Sequence, residues 1–175
     1  MRSIIYYVLA CFLLLVACTS RNLQNGIFEE SQEPITQRLA VYLIPTIESA
    51  TSDVEQICGD TVEPVSRVIE TTDGSFPASI HGALEELFSI GEIDLRELDY
   101  MSAIAEGVFS VTEVRIENQR ANIEIEGPEM FPETACDASL GTQQITMTVE
   151  QFRIPGGYTI VLNGSEEAWQ ALSQE

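Results

Sequence analysis

His81 and Glu85 stand four residues apart in a stretch with helical periodicity, so both side chains would leave the same side of a helix. An imidazole beside a carboxylate can work as an acid–base device or supply two metal ligands. A third ligand at helical spacing is missing, as metal sites generally need, and the simpler reading is a partly exposed surface pair. Asp94, Glu97 and Asp99 also cluster, yet the spaced Asp/Asn–Gly–Glu loop of an EF-hand is absent. They read as a solvated acidic patch, with calcium binding left open. His81 is the only histidine, so a serine hydrolase would have a single candidate base, and there is no G-x-S-x-G elbow. Paired-carboxylate chemistry on cell-wall glycan needs only two acids at a set separation. The 28 acids supply many such pairs without marking one. No catalytic, cofactor or metal residue is assigned on these grounds, and an envelope hydrolase stands as the alternative reading.

The cysteines carry more information. Arg2 gives a basic start, residues 4–17 are uncharged and almost wholly apolar, and the stretch ends Leu15-Val16-Ala17-Cys18. Fourteen residues are short for a helix that must cross ~30 Å of hydrocarbon and suit a signal-peptide core. An aliphatic residue, a small residue and then cysteine make a lipobox. Cleavage before Cys18 frees the amino terminus of that residue, and its thiol takes a diacylglyceryl group. The competing readings are an ordinary secretory signal or an uncleaved anchor. Val8-Leu9-Ala10-Cys11 is a second lipobox-like string, set too close to Arg2. With Cys11 discarded and Cys18 lipidated, Cys58 and Cys136 remain as an even pair in an oxidising compartment, which predicts a disulfide. The alternative is two buried free thiols. A bridge closing a loop of about 78 residues would contribute ~4 kcal/mol in the chain-entropy model.

Removing residues 1–17 leaves 158 residues, enough for one domain and a tail. That remainder keeps seven of the eight arginines and all 28 acids, a formal charge of −21, and the chain has no lysine. So negative a surface repels phosphate backbones, which argues against nucleic acid as a partner. It also repels anionic head groups, leaving the lipid on Cys18 as the membrane attachment. The acids serve solubility in the plainer reading, and a divalent-cation or cationic-partner surface in the sharper one.

The elements that must position these residues follow from the pattern. Residues 18–37 read as the lipidated cysteine and a flexible polar tether, and 38–175 as the folded domain. Leu39–Ile44 suits a buried strand stopped by Pro45, and Val65–Ile69 a second, followed by the turn Thr72-Asp73-Gly74. Phe76, Ile80, Ala83, Leu84, Leu87 and Phe88 form one helical stripe, with Ser75 as N-cap, Pro77 in the first turn and Gly91 as the stop. Helical turns are expected around Leu95 and Leu98. Strands over 108–117 and 120–126 with Asn118-Gln119 as the loop would set Ile116 against Ala121, Val114 against Ile123 and Thr112 against Ile125. Residues 138–152 suit a helix with Ile145, Val149 and Phe152 inward, against a strand with Ile145, Met147 and Val149 on one face. A strand over 158–162 and a short helix capped by Ser165 complete the chain, the latter packing Trp169 and Leu172. The order implies an α+β fold, a mixed β-sheet of about five strands with two main helices packed on one face.

Residues 39–165 resemble a single GerMN domain, the module of spore-germination and sporulation lipoproteins. The similar residues are Val41-Tyr42-Leu43, Val65-Ser66-Arg67, Ala83-Leu84-Glu85-Glu86-Leu87, Ser102-Ala103-Ile104 with Gly107, and the hairpin Val114–Ile123. Gln144-Ile145, Thr148, Gln151-Phe152 and Ile160–Gly164 match the ending of the motif. Gln119 stands where the family usually has glycine, and Ser89-Ile90-Gly91 replaces a common Gly-Pro. The resemblance implies a compact non-enzymatic domain on an extracytoplasmic envelope lipoprotein. It would bind another envelope protein or peptidoglycan and support envelope assembly or sporulation and germination. It also weighs toward helix over 138–152. Mass spectrometry of the non-reduced, digested protein should yield a Cys58–Cys136 cross-linked peptide, and its absence would refute the bridge.

Overall fold

The first strand, β1 (Ile35–Pro45), touches more of the fold than any other strand, through β2, β3 and two helices. A computed structural model of the chain describes residues 34–46, 62–129 and 135–173. Val41 and Leu43 are fully buried and Ile44 nearly so, as the apolar run predicts. The strand nevertheless begins at Ile35, inside the stretch read as tether. Pairing decides this: Ile35 lies opposite Thr71, and the Gln37 amide donates to the Thr71 hydroxyl at 3.2 Å. β2 (Glu63–Thr71) runs antiparallel to β1 from Ile35↔Thr71 to Leu43↔Glu63.

The chain then turns. The Ser75 N–H donates to Asp73 Oδ1 at 2.9 Å, and Gly74 takes a φ of +66°. The helix α1 (Phe76–Ser89) starts as its sequence directs, the Ser75 hydroxyl accepting from the Ala78 N–H at 3.4 Å. Ile80, Ala83, Leu84, Leu87 and Phe88 are buried. Phe76, the first residue of the expected stripe, is 54% exposed and meets Phe152 edge-on at 6.1 Å. α1 ends at Ser89 with Ile90 as its C-cap, next to the expected stop Gly91, whose extended backbone (φ −84°) also makes it the N-cap of α2 (Glu92–Glu97). β3 (Tyr100–Met101) pairs with Ile44 and Pro45.

β4 (Ser110–Glu117) and β5 (Arg120–Glu126) form the expected hairpin. Asn118 and Gln119 both have positive φ, 49° and 68°, as a two-residue type I′ loop requires. Ile116 faces Ala121 and Val114 faces Ile123. Beyond that the register shifts: an irregularity between Val111 and Glu113 puts Val111, not Thr112, opposite Ile125. The extra residue lets the apolar Val111 reach the core, 7% exposed, while Thr112 turns its hydroxyl to the Glu124 carbonyl. α3 (Ala135–Glu150) is helical, settling the choice between helix and strand. β6 (Tyr158–Leu162) returns parallel to β5, and α4 (Glu166–Leu172) is capped by Ser165, whose hydroxyl accepts from the Ala168 N–H at 3.1 Å.

The fold is α+β. Among the described residues the strands number six and divide into two three-stranded sheets, β2–β1–β3 and β4–β5–β6, rather than one sheet of five. α1 packs on β1, β2 and β4 and so spans both sheets; α3 packs on β1 and α1, and α4 on β6. A single apolar core joins them, from Val41 and Leu43 through Leu84 and Phe88 to Ile123, Ile145 and Ile160. No described helix is long and apolar enough to cross a membrane.

Gln144 and Thr148 on α3, and Gln151 in the turn just past its end, are spaced four and three apart against the side of β1 that β2 does not cover. The Gln151 amide accepts from the Ala40 N–H at 3.0 Å and donates to the Ala40 carbonyl at 2.7 Å. The Thr148 hydroxyl accepts from the Tyr42 N–H at 3.2 Å. The Gln144 amide donates to the Tyr42 carbonyl at 2.9 Å and accepts from the Ala103 N–H at 2.9 Å. Side chains thus do the work of a neighbouring strand. Gln144 and Thr148 have no exposed surface, and burial without partners would cost ~1–3 kcal/mol for each group left unpaired. Replacing Gln144 by alanine should therefore lower unfolding stability by about 2–4 kcal/mol in a denaturant titration. The neighbouring exposed Gln143 should tolerate alanine within about 0.5 kcal/mol.

Candidate functional site

The residues with possible chemistry on α1 border an open groove of about 650 Å³. Its lining comes from three elements: Val68, Glu70 and Asp73 on β2 and the following turn, His81, Glu85 and Glu86 on α1, and Val114 on β4. Gly82 brings α1 close to β2 here. A Cβ on it would lie 2.9 Å from Ile69 Cγ2 and 3.2 Å from Thr71 Cγ2, so any larger residue would push the helix away. The volume lies in the range of ligand clefts.

Backbone directions explain why the groove lies where it does. Ala40 and Tyr42 turn their N–H and C=O groups toward α3, so the residues between them turn theirs toward β2. In the observed register Val65, Arg67 and Ile69 answer Val41, Leu39 and Gln37. Ser66, Val68 and Glu70 therefore point their backbone groups the other way, along the side of β2 that no described strand covers. Pro64 shares that side, where a missing N–H is harmless. β4 repeats the situation. Ala121 donates to the Gly157 carbonyl and Ile125 accepts from Asn163, so these β5 residues face β6. Asn122 and Glu124 face β4 at Arg115 and Glu113, which leaves Val114 turned outward to the groove.

The His81–Glu85 pair is thus brought to a cleft, but its carboxylate is already engaged. Glu85 Oε1 accepts from the Val111 N–H at 2.6 Å, closing the start of the open side of β4. Glu86 Oε1 accepts from Arg67 Nε at 2.6 Å, with both side chains about three-quarters covered (27% and 24% exposed). The Asp73 carboxyl is held below the usual carboxylate range by hydrogen bonds from the Ser75 side chain and backbone. Three carboxylates of the groove are therefore engaged within the protein, Glu85 with β4, Glu86 with β2 and Asp73 with Ser75 at the head of α1, while the Glu70 carboxylate has no hydrogen-bond partner among the described residues. None of the lining residues is Arg or Lys.

The other expected residues do not join this site. Asp94, Glu97 and Asp99 lie on α2 and the turn after it; Asp99 borders a separate hollow of about 290 Å³ with Glu92 and Arg96, which are paired at 2.5 Å. Among the described residues no three His, Cys, Asp or Glu side chains come together as a metal-binding group. Cys18 and Cys58, with the signal segment and most of the tether, lie outside the described residues, as does the Cys136 side chain at the start of α3. No motif or spacing in the sequence marks Val68, Glu70 and Val114 as groove residues. The one available sign was Pro64, since proline inside a strand marks an edge.

Compared with known proteins, the chain matches no family model, no curated sequence and no solved structure.

Glu85→Ala should cost about 1–3 kcal/mol by leaving the Val111 N–H unpaired, whereas Glu85→Gln keeps an acceptor oxygen and should cost less than about 1 kcal/mol. Equal loss in both variants, measured by denaturant unfolding, would mean that charge rather than the hydrogen bond matters.

Proposed function

We propose that this chain is a non-enzymatic lipoprotein of the cell envelope, held to a membrane by lipid on Cys18, whose GerMN-like domain binds an envelope protein or a cell-wall component. The observation that carries the reading is the groove beside α1. It is open, mixed in character and bordered by uncovered backbone, yet its best acid–base candidate, Glu85, is committed to the Val111 N–H. Glu86 is likewise committed to Arg67. A surface of this kind can hold a ligand, while its polar groups are arranged to keep α1, β2 and β4 in place. The lipobox and polar tether of the sequence would present the groove at a distance from the lipid, facing other envelope material. The resemblance to GerMN modules supports the same role and extends it to envelope assembly in sporulation or germination.

A photo-cross-linking residue in place of His81, in the membrane-anchored chain, should recover an envelope protein or peptidoglycan; the same residue in place of the remote Glu92 should not. Identical recovery from both positions, or from neither in several growth states, would defeat the proposal. The purified chain should also leave cell-wall substrate intact in a zymogram, and clearing would replace binding by hydrolysis.

A further inference from the structure

The described strands manage their open sides in two different ways. On β1, the Ala40 and Tyr42 backbone groups are taken up by Gln151, Thr148 and Gln144. On β4, the Val111 N–H is taken up by Glu85. On β2, the groups of Ser66, Val68 and Glu70 meet no partner among the described residues, and Val68 is 62% exposed. An uncovered strand side bearing an exposed valine is a template for another strand. Here it also forms one border of the groove, with α1 along one face and Val114 across from it.

We propose that this side of β2 takes up an extended, basic segment of a partner protein as an added strand. The idea rests on the binding role proposed above and gives that role a partner chemistry. Backbone hydrogen bonds to Ser66, Val68 and Glu70 would supply affinity without regard to sequence. Alternate side chains would supply selectivity, one set lying against α1 near His81 and Glu85, the other beside Val68 and Glu70. Charge selects the occupant. The lining holds Glu70, Asp73, Glu85 and Glu86, and among the described residues only Glu86 has a cationic partner, Arg67. The chain's own candidates carry the wrong sign. Residues 18–33 contain Glu29, Glu30 and Glu33 against Arg21, and residues 47–61 contain Glu48, Asp53, Glu55 and Asp60 with no base. A second copy brings a formal charge of −20 for the full chain. Like charges brought together repel, so an acidic segment is rejected where a basic one is drawn in.

The test uses the full-length chain in non-ionic detergent and fluorescence anisotropy with a short capped peptide of alternating arginine and valine at physiological salt. The peptide should bind. Methylating every backbone amide of the peptide, which keeps its charge but removes its donors, should weaken binding by at least about tenfold. Val68→Pro should do the same from the protein side, and Glu70→Gln combined with Asp73→Asn should weaken binding several-fold. Glu92→Gln combined with Glu97→Gln, the same charge change at a remote place, should leave it unchanged. If Val68→Pro unfolds the protein, the methylated peptide decides alone. Equal binding of both peptides, equal loss in the remote variant, or no binding at all would overturn strand addition. So would a photo-cross-link from position 68 to residues 18–33 of the same chain. Recovery of a partner from position 81 with any of these results would leave the binding role standing and remove only the strand mode.

Discussion

The fold depends on a row of three polar side chains, along α3 and the turn that ends it, that take the place of a strand. A strand buried on one side by a helix instead of another strand leaves backbone groups facing a surface with no backbone partners to offer, and buried groups of that kind are costly when unpaired. Gln144, Thr148 and Gln151 answer this with amide and hydroxyl groups at helical spacing. Because the two glutamines both donate and accept, each can satisfy two backbone groups, and Gln144 reaches from β1 to the Ala103 N–H that follows β3. The row therefore fixes where α3 lies on β1, how β1 is oriented, and which backbone groups of β2 are left to face outward.

That last consequence reaches the groove. Once the even-numbered residues of β1 are committed to α3, the antiparallel register commits the odd-numbered residues of β2 to β1, and Ser66, Val68 and Glu70 have no choice but to face the other way. α1 then closes over the pair, with Gly82 permitting the approach to Ile69 and Thr71. Glu85 ties the same helix to β4 across the gap between the sheets. The cleft is what remains between two sheets held by one helix but not hydrogen-bonded to each other.

The residues that carry the resemblance to GerMN modules acquire physical roles here. Gln144, Thr148 and Gln151 close β1, Glu85 closes the start of β4, and Ser66 faces the open side of β2. In this chain those residues let helices stand in for missing strands.

Local physics settles much without any tertiary contact. The apolar stripe and Ser75 set α1, Asn118-Gln119 set the hairpin and most of its register, and Ser165 set α4, because caps, periodicity and turn preferences act within a few residues. The same periodicity puts His81 and Glu85 on one side of α1. The tertiary structure decided what no short window contains. The β-branched α3 is helical because Ile145 and Val149 enter the core and its polar row meets β1. β1 extends to Ile35 because Thr71 lies opposite. The bulge near Thr112 forms because Val111 is drawn inward. The described strands part into two sheets, and Glu85 changes from a candidate for chemistry into a clasp. Each of these outcomes rests on a partner many residues away in the chain. A backbone or carboxyl group's role is set by what it meets, and only the fold brings those partners together.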